Sequence, residues 1–232
     1  MKKSFWVSIS LIFIFLFVKS IFDLTPTFGA NKKISGIDIS HHNNIRDWGQ
    51  LKNSVHFVFV KATEGRSYKD SKFKSNWENA KIHGITRGAY HFFSPNVSAK
   101  DQFENFKNSV TLKPGDLPPV VDVERRAGEY SKLNIDMNEV NEWLRLAEEH
   151  YGVKPIIYSD YITFKLFMDN NVNKGNLWIY VPDGYFVEPS FNNYDCLFWQ
   201  HNQKGKVDGI IGKTDLDVFL GDEEDFEKLL IN

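Results

Sequence analysis

The sequence predicts an α/β fold, a single-domain barrel begun as strand–helix units and closed by strands alone, and three observations predict it. From Ile34 onward, short apolar runs alternate with amphipathic stretches, and this alternation implies a parallel sheet with crossover helices. The helical stretches then thin out after about residue 175, where strands follow one another directly. No repeat, low-complexity tract or linker divides residues 34–232.

The N-terminus is read separately. Lys2 and Lys3 precede a stretch without charge over residues 5–18, a basic region followed by an apolar core as export requires. That stretch is short of the roughly 20 residues a spanning helix needs. Lys19 can snorkel, however, and Ile21, Phe22 and Leu24 extend the apolar length. Phe28-Gly29-Ala30 is a poor cleavage pattern, because a bulky residue stands where a small one is favoured. Residues 1–22 are therefore expected to be a signal peptide or a membrane anchor, and residues 23–33, with Pro26 and Gly29, a linker. Either fate puts residues 34–232 outside the cytoplasm, whether periplasmic, extracellular or held at the membrane.

Within the barrel, strands are expected at 34–40, 56–61, 86–92, 119–124, 155–158, 178–181 and 196–200, then as a pair around 209–219. Phe73, Trp77 and Ala80 share one helix face, and Gly84 stops that helix. Phe103, Phe106 and Val110 share another, with Ser98 and Asp101 as its capping box. Val140, Trp143, Leu144 and Ala147 form a third stripe, begun by Asp136 and Glu139 and ended by Gly152. Trp77 and Trp143 are read as helix-face core.

Hydrophobic residues at 42% suffice for one core, and a net charge of −2 with no basic stripe gives nucleic acid no footing. Without residues 1–30 the chain keeps 25 basic and 29 acidic residues, so long-range attraction to an anionic polymer is also absent. A specific groove must do the binding. Cys196 is the only cysteine, which rules out an intrachain disulfide, and its strand-like setting points to packing. No feature implies a partner subunit, so a monomer is expected.

The chemistry sits in Pro118-Pro119-Val120-Val121-Asp122-Val123-Glu124, a buried strand ending in two carboxyls. Residues two apart on a strand share a face, with Cα atoms about 6.5 Å apart. Side by side, two carboxyls raise the proton affinity of one of them, and an acid that stays protonated beside one that ionises is what glycoside hydrolysis requires. The non-catalytic reading is a solvated turn paired with Arg125 and Arg126. Asp38 ends the first strand, and Asp215 and Asp217 lie on the last. Barrel closure would make those strands neighbours and bring their acids to the central pair. Asp217 is read as a surface residue.

Together these segments resemble glycoside hydrolase family 25, the lysozyme family related to the Chalaropsis muramidase and several phage endolysins. The landmarks are Gly36-Ile37-Asp38-Ile39-Ser40-His41-His42, Phe59-Val60-Lys61-Ala62-Thr63-Glu64-Gly65, Gly88-Ala89-Tyr90-His91-Phe92, Val121-Asp122-Val123-Glu124, Ile157-Tyr158-Ser159, Leu177-Trp178-Ile179, Trp199-Gln200 and Asp215-Leu216-Asp217. The resemblance implies an irregular TIM-like (β/α)5(β)3 barrel and hydrolysis of the β-1,4 bond between N-acetylmuramic acid and N-acetylglucosamine in peptidoglycan glycan strands. It implies Glu124 as general acid, and Asp122 as the carboxylate that orients the substrate's 2-acetamido group. Asp38 and Asp215 would be further cleft acids, with Tyr90, Tyr158, Trp199 and Gln200 as substrate contacts. No metal or other cofactor is implied. Asn43-Asn44 in place of Gln-Gly, Tyr180-Val181-Pro182-Asp183, and His201 after Gln200 depart from the family pattern and bear on substrate preference.

Two other function classes remain to be weighed. A metal-dependent polysaccharide deacetylase would use His41, His42 and His91, but adjacent histidines on a strand face opposite ways. A non-catalytic glycan-binding protein would predict a missing central acid, and all four are present. Glu64 is expected to pair with Lys61, and His91 to be a core or cleft hydrogen-bonding residue. The segment around Lys61 lacks the Gly-rich phosphate loop.

Overall fold

A computed structural model describes residues 34–124, 135–168, 171, 176–182 and 195–232. The expected signal or anchor at 1–22, the linker at 23–33, Arg125, Arg126 and Asp183 lie outside the described residues.

The chain runs through β1 (Ser35–Ile39), β2 (Asn44–Ile45), α1 (Trp48–Ser54), β3 (Phe57–Glu64), β4 (Tyr68–Lys69), α2 (Phe73–Ile82), β5 (Thr86–Phe92), α3 (Ala99–Lys107) and β6 (Val120–Asp122). Then follow α4 (Met137–Tyr151), β7 (Ile156–Asp160), α5 (Tyr161–Thr163) with a π turn (Phe164–Met168), β8 (Asn176–Tyr180), β9 (Asp195–Gly205), β10 (Ile210–Ile211), β11 (Thr214–Phe219) and α6 (Glu223–Leu229). Strands β3, β5, β6, β7, β8 and β9 are each parallel to the next, β1 is parallel to β3, and β11 closes the ring antiparallel to both β9 and β1. Eight strands thus form a closed barrel, as the sequence predicts; among the described residues a helix follows each of the first five, and α6, which the sequence reading did not include, follows the last. The expected pair around 209–219 is two strands that do not pair together. Ile210–Ile211 joins Asn44–Ile45 in a separate ribbon, and Thr214–Phe219 seals the barrel.

Alternation along each strand sorts the core into two parts. Ile37, Val58, Val60, Val121, Ile157, Leu177 and Ile179 point outward and pack against Phe103, Phe106, Val140, Trp143 and Ala147 of the helices. Their neighbours, Phe57, Phe59, Tyr90, Val120, Ile156, Tyr158, Trp178, Phe198 and Phe219, fill the lumen. Rings do most of the filling, and glycine makes room for them. A Cβ at Gly36 would lie 2.3 Å from the Phe57 ring, and one at Gly88 would lie 2.5 Å from that of Phe59. Removing such a ring, as in Phe59→Ala, costs about 3–5 kcal/mol because the lumen cannot collapse into the gap.

Helix ends mostly follow their signals. Ser98 accepts the Asp101 N–H at the start of α3, Asp136 accepts that of Asn138 at α4, and Gly152 ends α4 at φ 70°. Glu139 is the exception. Its carboxylate accepts the Ala99 N–H and so caps α3 across the helix interface instead of its own helix.

Candidate active site

The sheet directs β6 so that its last side chains enter the mouth at the C-terminal ends of the parallel strands. Asp122 is the last paired residue, flanked by Phe92 on β5 and Tyr158 on β7. Val123 is held outward: its N–H bonds to Tyr158 O, and its carbonyl accepts the Ser159 hydroxyl at 2.7 Å. With Val123 buried among the helices, Asp122 and Glu124 are turned inward together. Asp122 is 6% exposed, and its Oδ1 has no partner among the described residues.

The closing seam supplies the other acids. Asp38 and Asp215 are direct partners across β1 and β11, while Asp217 faces Gly36 on one side and Gln200 on the other. Gln200 Nε2–H donates to Asp38 Oδ2 at 2.6 Å, and Gln200 Oε1 accepts the Tyr158 hydroxyl at 2.8 Å. Tyr90 and Tyr158 lie in the lumen among these carboxyls. Burial, followed by the charges of Asp38, Asp122, Glu124 and Asp215, pushes both phenols well above their ordinary range.

Burial is also the largest influence on every acid here, and it favours the neutral form. Glu124 is pushed up to about 7 by burial and then by the charges of Asp160 and Asp215, against the pull of Lys61. Asp122 is raised well above the carboxylate range by burial and Glu124, again opposed by Lys61. Asp38 is raised by burial, Asp215 and Asp217, with the Gln200 hydrogen bond pulling the other way. Asp215 rises to about 6 through burial, moderated by a hydrogen bond with Asp38. The pair on β6 therefore holds a proton close to neutrality, where an acid catalyst is most useful.

Six of the eight expected site residues, Glu124, Asp122, Asp38, Asp215, Tyr90 and Tyr158, come together here, and Gln200 makes seven. Trp199 does not. It occupies the opposite face of β9, packs against the outer core and donates its indole N–H to Val181 O at 2.8 Å. Its neighbour Gln200 faces the lumen, so alternation excludes Trp199.

The histidines also require a correction. His41 and His42 lie in the turn after β1, not on the strand, so their rings are neighbours with centroids 3.8 Å apart. His41 Nδ1 lies 2.8 Å from Asp70 Oδ2. His91 is a core residue 2.7 Å from Thr63 Oγ1 and 3.2 Å from Gln102 Oε1, and burial lowers it to about 4. Glu64 pairs with Lys61 at 2.8 Å. Burial pushes the Cys196 thiol up to about 12, which suits packing and not nucleophilic attack.

Sequence reading missed two acids. Asp217, read as surface, is 1% exposed and accepts the Trp178 indole N–H at 3.0 Å. Asp160, two residues beyond Tyr158 on the same face, caps α5 through the N–H groups of Ile162 and Thr163 and adds its charge to both Asp122 and Glu124. Its position at a parallel strand's C-terminal end was a usable signal.

A closed barrel whose mouth pairs a proton-holding acid with a second carboxyl has the equipment of a glycoside hydrolase. Comparison with known proteins agrees. The family model described as Glycosyl hydrolases family 25 matches residues 37–210. The protein YegX of Escherichia coli is 37% identical over 204 residues, covering 85% of this chain and 74% of YegX. Lysozyme M1 of Streptomyces globisporus is 28% identical over 208 residues, 81% of this chain and 68% of that one. A solved family 25 glycosyl hydrolase from Bacillus anthracis superposes with a TM-score of 0.77 at 32% identity, covering 87% of this chain and 94% of that one. The chain belongs to glycosyl hydrolase family 25.

Proposed function

We propose that this protein is a lysozyme that hydrolyses the β-1,4 bond between N-acetylmuramic acid and N-acetylglucosamine in peptidoglycan, with Glu124 as its general acid. The observation that carries the reading is the Asp122–Glu124 pair, with Asp122 buried, Glu124 half-buried and Glu124 raised to about 7. Similarity to Lysozyme M1 supports the substrate class.

In the proposed reaction the Glu124 carboxyl gives its proton to the glycosidic oxygen as the C1–O bond breaks. The substrate's 2-acetamido oxygen attacks C1, and Asp122 accepts the acetamido N–H. Asp122 suits that role because its buried Oδ1 is an acceptor in want of a donor. A substrate N–H there would also favour the ionised carboxylate. Water then attacks C1 as the bond from C1 to the acetamido oxygen breaks and the acetamido group is restored, and Glu124, now a carboxylate, takes the water's proton. Two displacements on one carbon give net retention, as in other substrate-assisted glycosidases. Such a substrate implies work outside the cytoplasm, consistent with residues 1–22 acting as an export signal or anchor.

Digestion of purified peptidoglycan by wild type and Glu124→Gln tests the reading. New reducing N-acetylmuramic acid from the wild type, reduced about 10²–10⁴-fold in the variant, is expected. Reducing N-acetylglucosamine, no new ends, or an unimpaired variant would overturn it.

A further inference from the structure

The closing seam carries a carboxyl for which the reaction above has no use. Asp217 is among the most deeply buried charged-type residues described, at 1% exposure. Its Oδ1 accepts the Trp178 N–H, while its Oδ2 is sealed from solvent without a conventional donor or acceptor among the described residues. β1 offers Gly36 directly opposite, so no side chain intervenes on that side, and Asp38 follows two residues on along the same lumen face. On the other side Gln200 stands opposite Asp217 and donates to Asp38. The charged and polar groups that act on Asp217 are thus Asp38 from β1, Asp215 from its own strand and Trp178 from β8, with Gln200 beside it on β9.

Two ionised carboxylates are acceptors only and cannot bond to each other. An ionised Asp217 would also leave a buried anion with a single donor, which is costly in an aromatic lumen. One proton removes both difficulties. Oδ1 keeps the Trp178 bond, and the proton on Oδ2 turns an orphaned acceptor into a donor facing another carboxyl. Burial, the largest influence, and the charge of Asp215 favour this neutral form, against the hydrogen bonds with Trp178 and Asp38 that favour the ionised one.

We propose that Asp217 is a positioning residue that works as a neutral carboxylic acid, its Oδ2–H donating to Asp38 while Oδ1 accepts from Trp178. The inference rests on Asp38 being part of the active cleft, as the proposed function has it. Asp38 then receives two uncharged donors, Gln200 Nε2–H and Asp217 Oδ2–H. They fix its orientation and favour its ionised form against the burial and the Asp215 charge that raise it, making it an oriented acceptor. Asparagine reproduces both contacts of a neutral aspartic acid, with its oxygen accepting and its amide donating. It cannot reproduce an anion.

The test compares wild type, Asp217→Asn and Asp217→Ala for reducing-end release across pH, alongside the infrared difference spectrum of wild type minus Asp217→Asn. A protonated-carboxyl band should persist in the wild type from about pH 5 to about pH 8, well above the ordinary aspartate range. Asp217→Ala should cost about 10- to 100-fold in kcat and move the acidic limb of the pH profile, and Asn should restore rate and profile to within about threefold. A band that is absent or titrates away in the ordinary aspartate range overturns the proposal. So does an Asn variant as impaired as Ala, or an Ala variant equal to wild type. If Ala fails to fold, the Asn variant and the band still decide. If peptidoglycan is not cleaved by the wild type, the proposed function fails, while the band alone judges Asp217.

Discussion

At the end of β6, Asp122 and Glu124 stand in the field of a cation, Lys61, whereas along the β1–β11 seam Asp38 and Asp217 are met by neutral donors from Gln200 and Trp178. Each group holds one buried acid, Asp122 or Asp217, and one half-buried, Glu124 or Asp38, and desolvation is the largest influence on all four. The difference lies in what opposes it. A cation at a distance lowers the cost of ionising without fixing a geometry, so the β6 pair can gain and lose a proton. Short hydrogen bonds fix geometry and hold one protonation pattern. The same mouth therefore contains a half suited to proton transfer and a half suited to holding the substrate against it.

Replacing one carboxyl in each half by its amide gives the sharpest contrast. Glu124→Gln should lower kcat by about 10²–10⁴-fold, because it removes the transferable proton. Asp215→Asn makes the same carboxyl-to-amide change and should cost only about tenfold, the scale of one charged hydrogen bond. Rates of reducing-end release check both. Equal losses would mean that the seam takes part in proton transfer, and the division would fail.

The two halves were also unequally legible. The β6 pair could be read directly, since an apolar run ending in Asp-Val-Glu puts two acids on one face. The meeting of Asp38 with Asp215 followed once closure was assumed, and the structure makes them direct partners. Asp217 was missed for a physical reason. Alternation tells which residues share a face, but a polar face reads the same whether it meets water or a barrel lumen. Asp215 was nonetheless placed in the cleft, and alternation carried from it to Asp217, two residues on, would have put both on the lumen face. Trp199 was a different error, because it cannot share a face with Gln200. His41 and His42 were misjudged because the strand stops at Ile39, so period-two reasoning no longer applied.

The cation's role can be isolated. Lys61 lowers the proton affinity of Glu124 and Asp122, so Lys61→Met should raise both. Glu124 would then stay protonated to higher pH, moving the alkaline limb of kcat/KM upward from its wild-type position near 7. Because the substitution also removes the Lys61–Glu64 ion pair, the double variant Lys61→Met/Glu64→Gln is the fair comparison. An unmoved limb would show that Lys61 serves only the Glu64 pair and that the two halves differ less than their surroundings suggest.

The smallest effect concerns stability. Unfolded, Glu124 titrates near the ordinary glutamate value of about 4.3; folded, it titrates at about 7. Between those values the native state holds a proton that the unfolded chain has released, so stability falls as pH rises through that window and levels off above it. Asp215 contributes in the same direction up to about 6. Glu124→Gln removes the glutamate's share, being neutral at every pH. Its Tm should match the wild type below about pH 4 and exceed it by a few degrees above about pH 8, at about 2–4 °C per kcal/mol for a domain of this size. Glu124 is half-buried, so solvent screening should put the gain at the low end of that range. Asp215→Asn should show a smaller gap that opens and saturates at lower pH. The order of the two gaps along the pH axis then reports which half of the mouth holds its proton longer. A gap independent of pH would mean that neither acid is displaced by burial, and the distinction between the halves would rest on hydrogen bonding alone.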